Sequence, residues 1–163
     1  MTREEIVGRL RRWPTRLVTL TGGEPLLQKE LPELAQDLLD DGFTVTVETH
    51  GQLPLGGLPP GVIRIVDVKT PGSGEPAIDL SILRELTVGD ELKFVVCSRE
   101  DFDWSVDLVR REGLDRRVPL LFAPAFGEVE PKDLADWLLE SGLSARLNLQ
   151  IHKVIWGPDA RGV

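Results

Sequence analysis

Residues able to do chemistry fall at four places in this 163-residue chain, each where an apolar or β-branched run gives out. The first is Leu20-Thr21-Gly22-Gly23-Glu24-Pro25-Leu26-Leu27-Gln28. Two adjacent glycines between a strand and a helix let a ligand come against bare main chain, because no Cβ stands in the way. Glu24 adds an anionic acceptor suited to an ammonium group, and Pro25 stiffens the exit. Taken alone, a Gly-Gly pair reads equally as a tight turn with a solvated glutamate. The second place, Glu48-Thr49-His50-Gly51, offers a carboxylate that can accept paired N–H donors from a guanidine-like ring, or a salt bridge to Lys93 or Lys69. The third, Asp67-Val68-Lys69-Thr70-Pro71-Gly72-Ser73-Gly74, sets an acid and a base together, and Lys69 suits a ligand carboxylate. The fourth, Gln150-Ile151-His152-Lys153, places a histidine beside other polar groups.

The elements that position these residues follow from periodicity. Thr2 with Glu5 three residues on reads as a capping box, and Ile6, Val7, Leu10 and Trp13 mark one face of a helix that Pro14 closes. Arg16–Leu20 reads as a strand, and a helix runs from Leu31 to about Asp41 with Gly42 as its stop. Further strands are expected at Phe43–Glu48, Val62–Val68, Glu91–Val96, Val118–Phe122 and Arg146–Gln150. A short helix opens at Asp79, one capped by Ser98 runs to about Glu112, and another begins at Pro131. Strands separated by helices call for parallel pairing, hence an α/β fold of about six mostly parallel strands. Thr44, Thr46 and Glu48 alternate with Phe43, Val45 and Val47, and Lys93 points opposite to Leu92 and Phe94. Polar faces crowding toward Gly/Pro loops predict a wide partial barrel with a polar lining. No repeat or linker divides the chain, so residues 1–163 read as one domain.

Composition narrows the function. A formal charge of −8 argues against a nucleic-acid surface, which must neutralise phosphates. The absence of a signal pattern or a long apolar run predicts a cytoplasmic protein without membrane association. The single cysteine, Cys97, follows the run Phe94-Val95-Val96 and reads as a buried thiol. It excludes an internal disulfide framework.

The string Thr21-Gly22-Gly23-Glu24-Pro25 resembles the loop that holds the methionyl amine of S-adenosylmethionine (SAM) in radical SAM enzymes. Added to Glu48–Gly51, Asp67–Gly74, Leu92–Val96, Gln150–Gly157 and the closing Arg161-Gly162-Val163, it resembles the 7-carboxy-7-deazaguanine synthases of queuosine and deazapurine biosynthesis. The resemblance implies a partial radical SAM-type (β/α) barrel. It implies a carbon–nitrogen lyase converting 6-carboxy-5,6,7,8-tetrahydropterin to 7-carboxy-7-deazaguanine with SAM, a [4Fe–4S] cluster and Mg²⁺. By motif, Gly22, Gly23, Glu24, Asp67, Val68, Lys69, Ala123, Pro124, Ala125 and Phe126 would border SAM. Thr21, Glu48, His50, Gln150, His152 and Val163 would face the pterin, and a homodimer is implied. The family's first strand, cluster loop and Mg²⁺ ligand are expected to lie upstream of Met1, so no metal ligand is assigned here. One thiolate cannot replace the three that a cluster needs, so the chain as given is expected to be inactive. A cluster-free pterin- or nucleoside-binding relative is the alternative, and a glycyl-radical activase a weaker third. The tail from His152 to Val163 is expected to form no further element, to dock through Ile151, Val154, Ile155 and Trp156, and to aim Val163 into the pocket.

Overall fold

The N-terminal capping box forms as its residue types dictate. Thr2 Oγ1 accepts the Glu5 N–H at 3.3 Å, and the Glu5 carboxylate accepts the Thr2 N–H at 2.8 Å. These bonds start helix α1 (Arg3–Leu10) in a computed structural model that describes residues 1–76, 78–157, 159 and 160. The chain falls into two compact units, Met1–Val68 with Ile78–Glu91, and Lys69–Ala77 with Leu92–Val163.

In the first unit, strands β1 (Leu17–Leu20), β2 (Thr44–Thr49) and β3 (Ile63–Lys69, its last residue in the second unit) follow one another. β1 pairs with β2 and β2 with β3, both in parallel. Parallel pairing requires a crossover, and helix α2 (Leu31–Asp40) provides it between β1 and β2. Its apolar stripe buries Ala35 and Leu38 against Val7, Phe43 and Val45. Trp13 lies beyond the end of α1 and is exposed, contrary to the expected helical face. A second anchor is ionic. Asp90, almost without solvent exposure, pairs with the Arg64 guanidinium and accepts N–H bonds from Arg64 at 2.9 Å and Thr87 at 2.6 Å. Burial pushes this carboxyl up, but the bonds from Arg64 and Thr87 together outweigh it and hold it below the usual carboxylate range.

In the second unit, β4 (Glu91–Val96, its first residue in the first unit), β5 (Leu120–Pro124) and β6 (Ala145–Leu147) pair in parallel, β4 with β5 and β5 with β6. The connecting helices are α3 (Arg99–Glu112), capped by Ser98, and α4 (Pro131–Ser141). Their core is aromatic: Phe94 stacks on Phe122 at 4.9 Å, and Phe102 meets Phe122 at 5.6 Å and Trp137 at 5.7 Å. β4 and α3 match the sequence reading residue for residue, with Lys93 facing away from buried Leu92 and Phe94.

Three expectations need correction. β5 lies two residues later than Val118–Phe122 because the Val118 N–H is drawn back to Leu114 O at 3.1 Å and Pro119 has no N–H to give. β6 has three residues, not five, and the Asn148 N–H makes a last bond to Phe122 O at 2.7 Å. The chain then turns, with the Ile151 N–H on Leu149 O, into a helix α5 (Ile151–Trp156) where no element was expected. The apolar residues meant to dock the tail, Ile151, Val154, Ile155 and Trp156, are each more than half exposed on this helix. The expected position of Val163 falls outside the described residues. No helix among the described residues is long and apolar enough to cross a membrane.

Candidate functional site

β1 ends at Leu20, and Thr21, Gly22 and Gly23 are exposed. Gly22 and Gly23 have φ of +102° and +58°, a conformation that favours glycine, and an added Cβ at either would meet nothing within 4 Å. Backbone shape demands glycine here, and the space beside it is open to a ligand. A cavity of about 670 Å³ borders the same stretch, walled by Thr19, Leu20, Thr21, Gly22, Leu27, Gln28 and Leu31 with Met1, Arg3 and Ile6.

Glu24 is not solvated. It is 8% exposed, and its carboxylate accepts the Leu26 N–H at 2.9 Å, the Thr49 hydroxyl at 2.9 and 3.0 Å, and the His50 N–H at 2.9 Å. The His50 ring completes the set. Its Nδ1 accepts the Gln52 N–H at 3.2 Å, so the proton sits on Nε2, 3.1 Å from Glu24 Oε2. A carboxylate has about four lone-pair sites; three donors hydrogen-bond to this one, and the His50 ring nitrogen lies against Oε2. Glu24 thus ties the Gly-Gly loop to the end of β2. Glu48 and Asp67 are half-buried near the ends of β2 and β3. Val68 is fully buried and can offer a ligand only its main chain. Thr46 Oγ1 donates to Thr19 Oγ1 at 2.8 Å, a polar pair on the face that Glu48 shares.

In the second unit Lys69 is half-buried and Thr70 is buried. Thr70 Oγ1 lies 2.9 Å from Asp101 Oδ2 and 3.1 Å from Val95 O. Of the predicted SAM loop, Ala123 and Pro124 prove to be buried residues of β5. Ala125 follows them with its N–H on Val96 O at 2.8 Å, and Phe126 is exposed with the Lys153 ammonium 4.8 Å from its ring centre. Gln150 precedes α5, and its side-chain Oε1 is shielded from solvent with no hydrogen-bond partner among the described residues. Such an acceptor costs about 1–3 kcal/mol unless something donates to it. His152 is exposed.

Cys97 is half-buried, and burial followed by the neighbouring Glu128 carboxylate pushes its thiol up to about 11. It is protonated at neutral pH, although the residue is half-buried rather than buried as expected. No group of three His, Cys, Asp or Glu side chains among the described residues could hold a metal ion.

Sequence reasoning missed Thr49 and Asp101. Thr49, at 3% exposure, is the hydroxyl that bridges Glu24, and its only signal was a polar residue at the last strand position. Asp101 lies in the first turn of the helix capped by Ser98, and nothing in the sequence sets it apart from the acid beside it.

Comparison with known proteins gives a consistent picture. The chain is 41% identical to the 7-carboxy-7-deazaguanine synthase of Koribacter versatilis, covering 100% of this chain and 79% of that protein. It is 38% identical to the one of Chlorobaculum tepidum, covering 100% and 76%. No family model matches the chain. Among solved structures, QueE from Escherichia coli superposes with a TM-score of 0.72 at 20% identity, covering 92% of this chain and 64% of that one. Streptococcus suis SuiB bound to S-adenosylmethionine gives 0.61 at 12% identity, covering 90% and 40%. These likenesses show the fold, α/β with parallel strands as expected for the radical SAM type.

Proposed function

The chain belongs to the 7-carboxy-7-deazaguanine synthase family, and on that premise we propose that it serves the conversion of 6-carboxy-5,6,7,8-tetrahydropterin to 7-carboxy-7-deazaguanine. The observation that carries this is identity of 41% over the whole chain, which spans every motif named above. Two features of the structure support it. Gly22 and Gly23 leave open space against the main chain, as a SAM amine would need. Gln150 Oε1 is a shielded acceptor without a donor among the described residues, as a pterin with amino and ring N–H groups would need. In this reading SAM supplies the radical chemistry when bound. In the first unit Gly22 and Gly23 would orient its amine and Thr21 and Glu48 would serve the pterin; in the second unit Lys69 would suit a carboxylate, and Gln150 and His152 would serve the pterin.

The residues of this chain do not fit a [4Fe–4S] cluster. One cysteine stands where three thiolates are needed, and its proton is held up to about pH 11. That observation favours, as a second reading, a pterin- or nucleoside-binding protein that does no radical chemistry by itself.

Titration calorimetry with SAM and with a 6-carboxypterin tests the proposal. The wild-type chain should bind both. If Glu48 makes a paired, charge-assisted contact to the pterin, Glu48→Gln should weaken that ligand by about 1.5–3 kcal/mol and leave SAM unchanged. Equal losses for the two ligands would make Glu48 a structural ion-pair partner. Failure to bind either would overturn the proposal.

A further inference from the structure

The loop from Lys69 to Gly74 is rooted in an unusual way. Asp101 sits in the first turn of α3, where acids ordinarily face water and the helix dipole. Its own N–H is taken by Ser98 Oγ at 3.2 Å. Its side chain instead turns inward and is 2% exposed. There the carboxylate accepts the Thr70 hydroxyl at 2.9 Å, the Gly72 N–H at 2.8 Å and the Cys97 N–H at 3.2 Å. One carboxylate therefore joins the residue after β3, the following turn and the residue after β4. Burying a charge is costly unless it is hydrogen-bonded, and these donors are what make its burial tolerable. Ser73 Oγ closes the turn from the other side, donating to Thr70 O at 2.6 Å.

Gly72 records the same contact. It lacks the positive φ that requires glycine elsewhere in the chain, yet an added Cβ would lie 2.5 Å from Asp101 Oδ2. Glycine is needed at this position because the carboxylate occupies the space. Above this root the outer surface of the loop, Pro71, Gly72 and Gly74, is exposed.

We infer that Asp101 is a positioning residue for ligand binding: it fixes the Lys69–Gly74 loop in the one conformation that presents Lys69 and the loop main chain to the carboxylate of the bound ligand. This rests on the proposed function for the identity of the ligand, SAM. Asp101 touches no ligand and acts through the loop.

The experiment uses the full chain and four variants: Asp101→Asn, Asp101→Ala, Gly72→Ala, and Gly72→Ala with Asp101→Ala. Amide exchange by NMR reads the loop, calorimetry reads the SAM Kd, and urea unfolding reads global stability. Each single variant should lose protection at residue 72 and weaken SAM by about tenfold or more, a coupling size typical of groups in direct contact. The double variant should bind no worse than Asp101→Ala alone, because removing the carboxylate removes the clash. Asp101→Asn retains one acceptor oxygen and should recover part of the loss, which a purely global effect would not produce. If Asp101→Ala does not fold, Asp101→Asn and Gly72→Ala decide the matter. Additive losses in the double variant, or full SAM affinity in Asp101→Asn and Gly72→Ala, would overturn the inference while leaving the proposed function standing. A wild-type chain that binds neither SAM nor the pterin would overturn both.

Discussion

Glu24 offers the sharpest perturbation, since its carboxylate serves five contacts from four donor groups. In Glu24→Gln one oxygen becomes an NH₂ group. Whichever way the amide turns, it sets a donor against either the Leu26 N–H or the His50 N–H, both now 2.9 Å from an acceptor. A backbone donor left without its acceptor in a buried setting costs about 1–3 kcal/mol. Glu24→Ala strands both, and partial access of water at the half-buried Leu26 and His50 brings the expected total to about 2–4 kcal/mol. Urea unfolding followed by far-ultraviolet circular dichroism should therefore show a midpoint that falls in the order wild type, Gln, Ala, at constant m-value. SAM affinity should fall in the same order, because the Gly-Gly loop loses its tie to β2. Should Glu24→Ala shift stability by less than about 0.5 kcal/mol, the size of an ordinary surface substitution, the anchoring role argued for Glu24 is wrong.

Two further outcomes concern pH. The folded Asp90 carboxyl lies below its unfolded value of about 3.9. Its stabilisation is therefore full above about pH 4 and lost as pH falls through the folded value, so Asp90→Asn should flatten the acid limb of a stability–pH curve. An unchanged acid limb in that variant would remove Asp90 from the account. The Cys97 thiol moves the other way, up to about 11. Its contribution is complete below about pH 8.5 and lost as pH rises toward the folded value. Iodoacetamide at pH 8 should label the folded protein far more slowly than the urea-unfolded chain, and equal rates would refute the protonated-thiol assignment.

How much of this was legible in the sequence depends on the range of the interaction. β4 and α3 were readable to the residue because Leu92, Phe94 and Val96 alternate and Ser98 caps within three positions of its target. The Gly-Gly loop was readable because strand, glycines and helix lie side by side in the chain. The use made of Glu24 was not, since Thr49 and His50 are 25 and 26 residues away. Asp101 was hidden for the same reason, its partner Gly72 lying 29 residues back. α5 was missed on different grounds. Ile151, Val154 and Ile155 have the three-and-four spacing of a helix, but six residues are too few for that pattern to outweigh alternation running in from β6.

The placement of tryptophan has a practical consequence for any optical work on this protein. The chain has no tyrosine, so four tryptophans account for its near-ultraviolet absorbance and emission. Trp13 and Trp156 already face solvent when the protein is folded, at 65% and 55% exposure. The half-buried pair, Trp104 and Trp137, both belong to the second unit, where Trp137 lies against Phe102. A red shift in emission on heating therefore reports that unit almost alone, while far-ultraviolet dichroism reports helices and strands of both. Superimposable melts from the two signals would mean that the halves unfold together. A fluorescence midpoint displaced from the dichroic one would give each half its own stability from a single unlabelled sample.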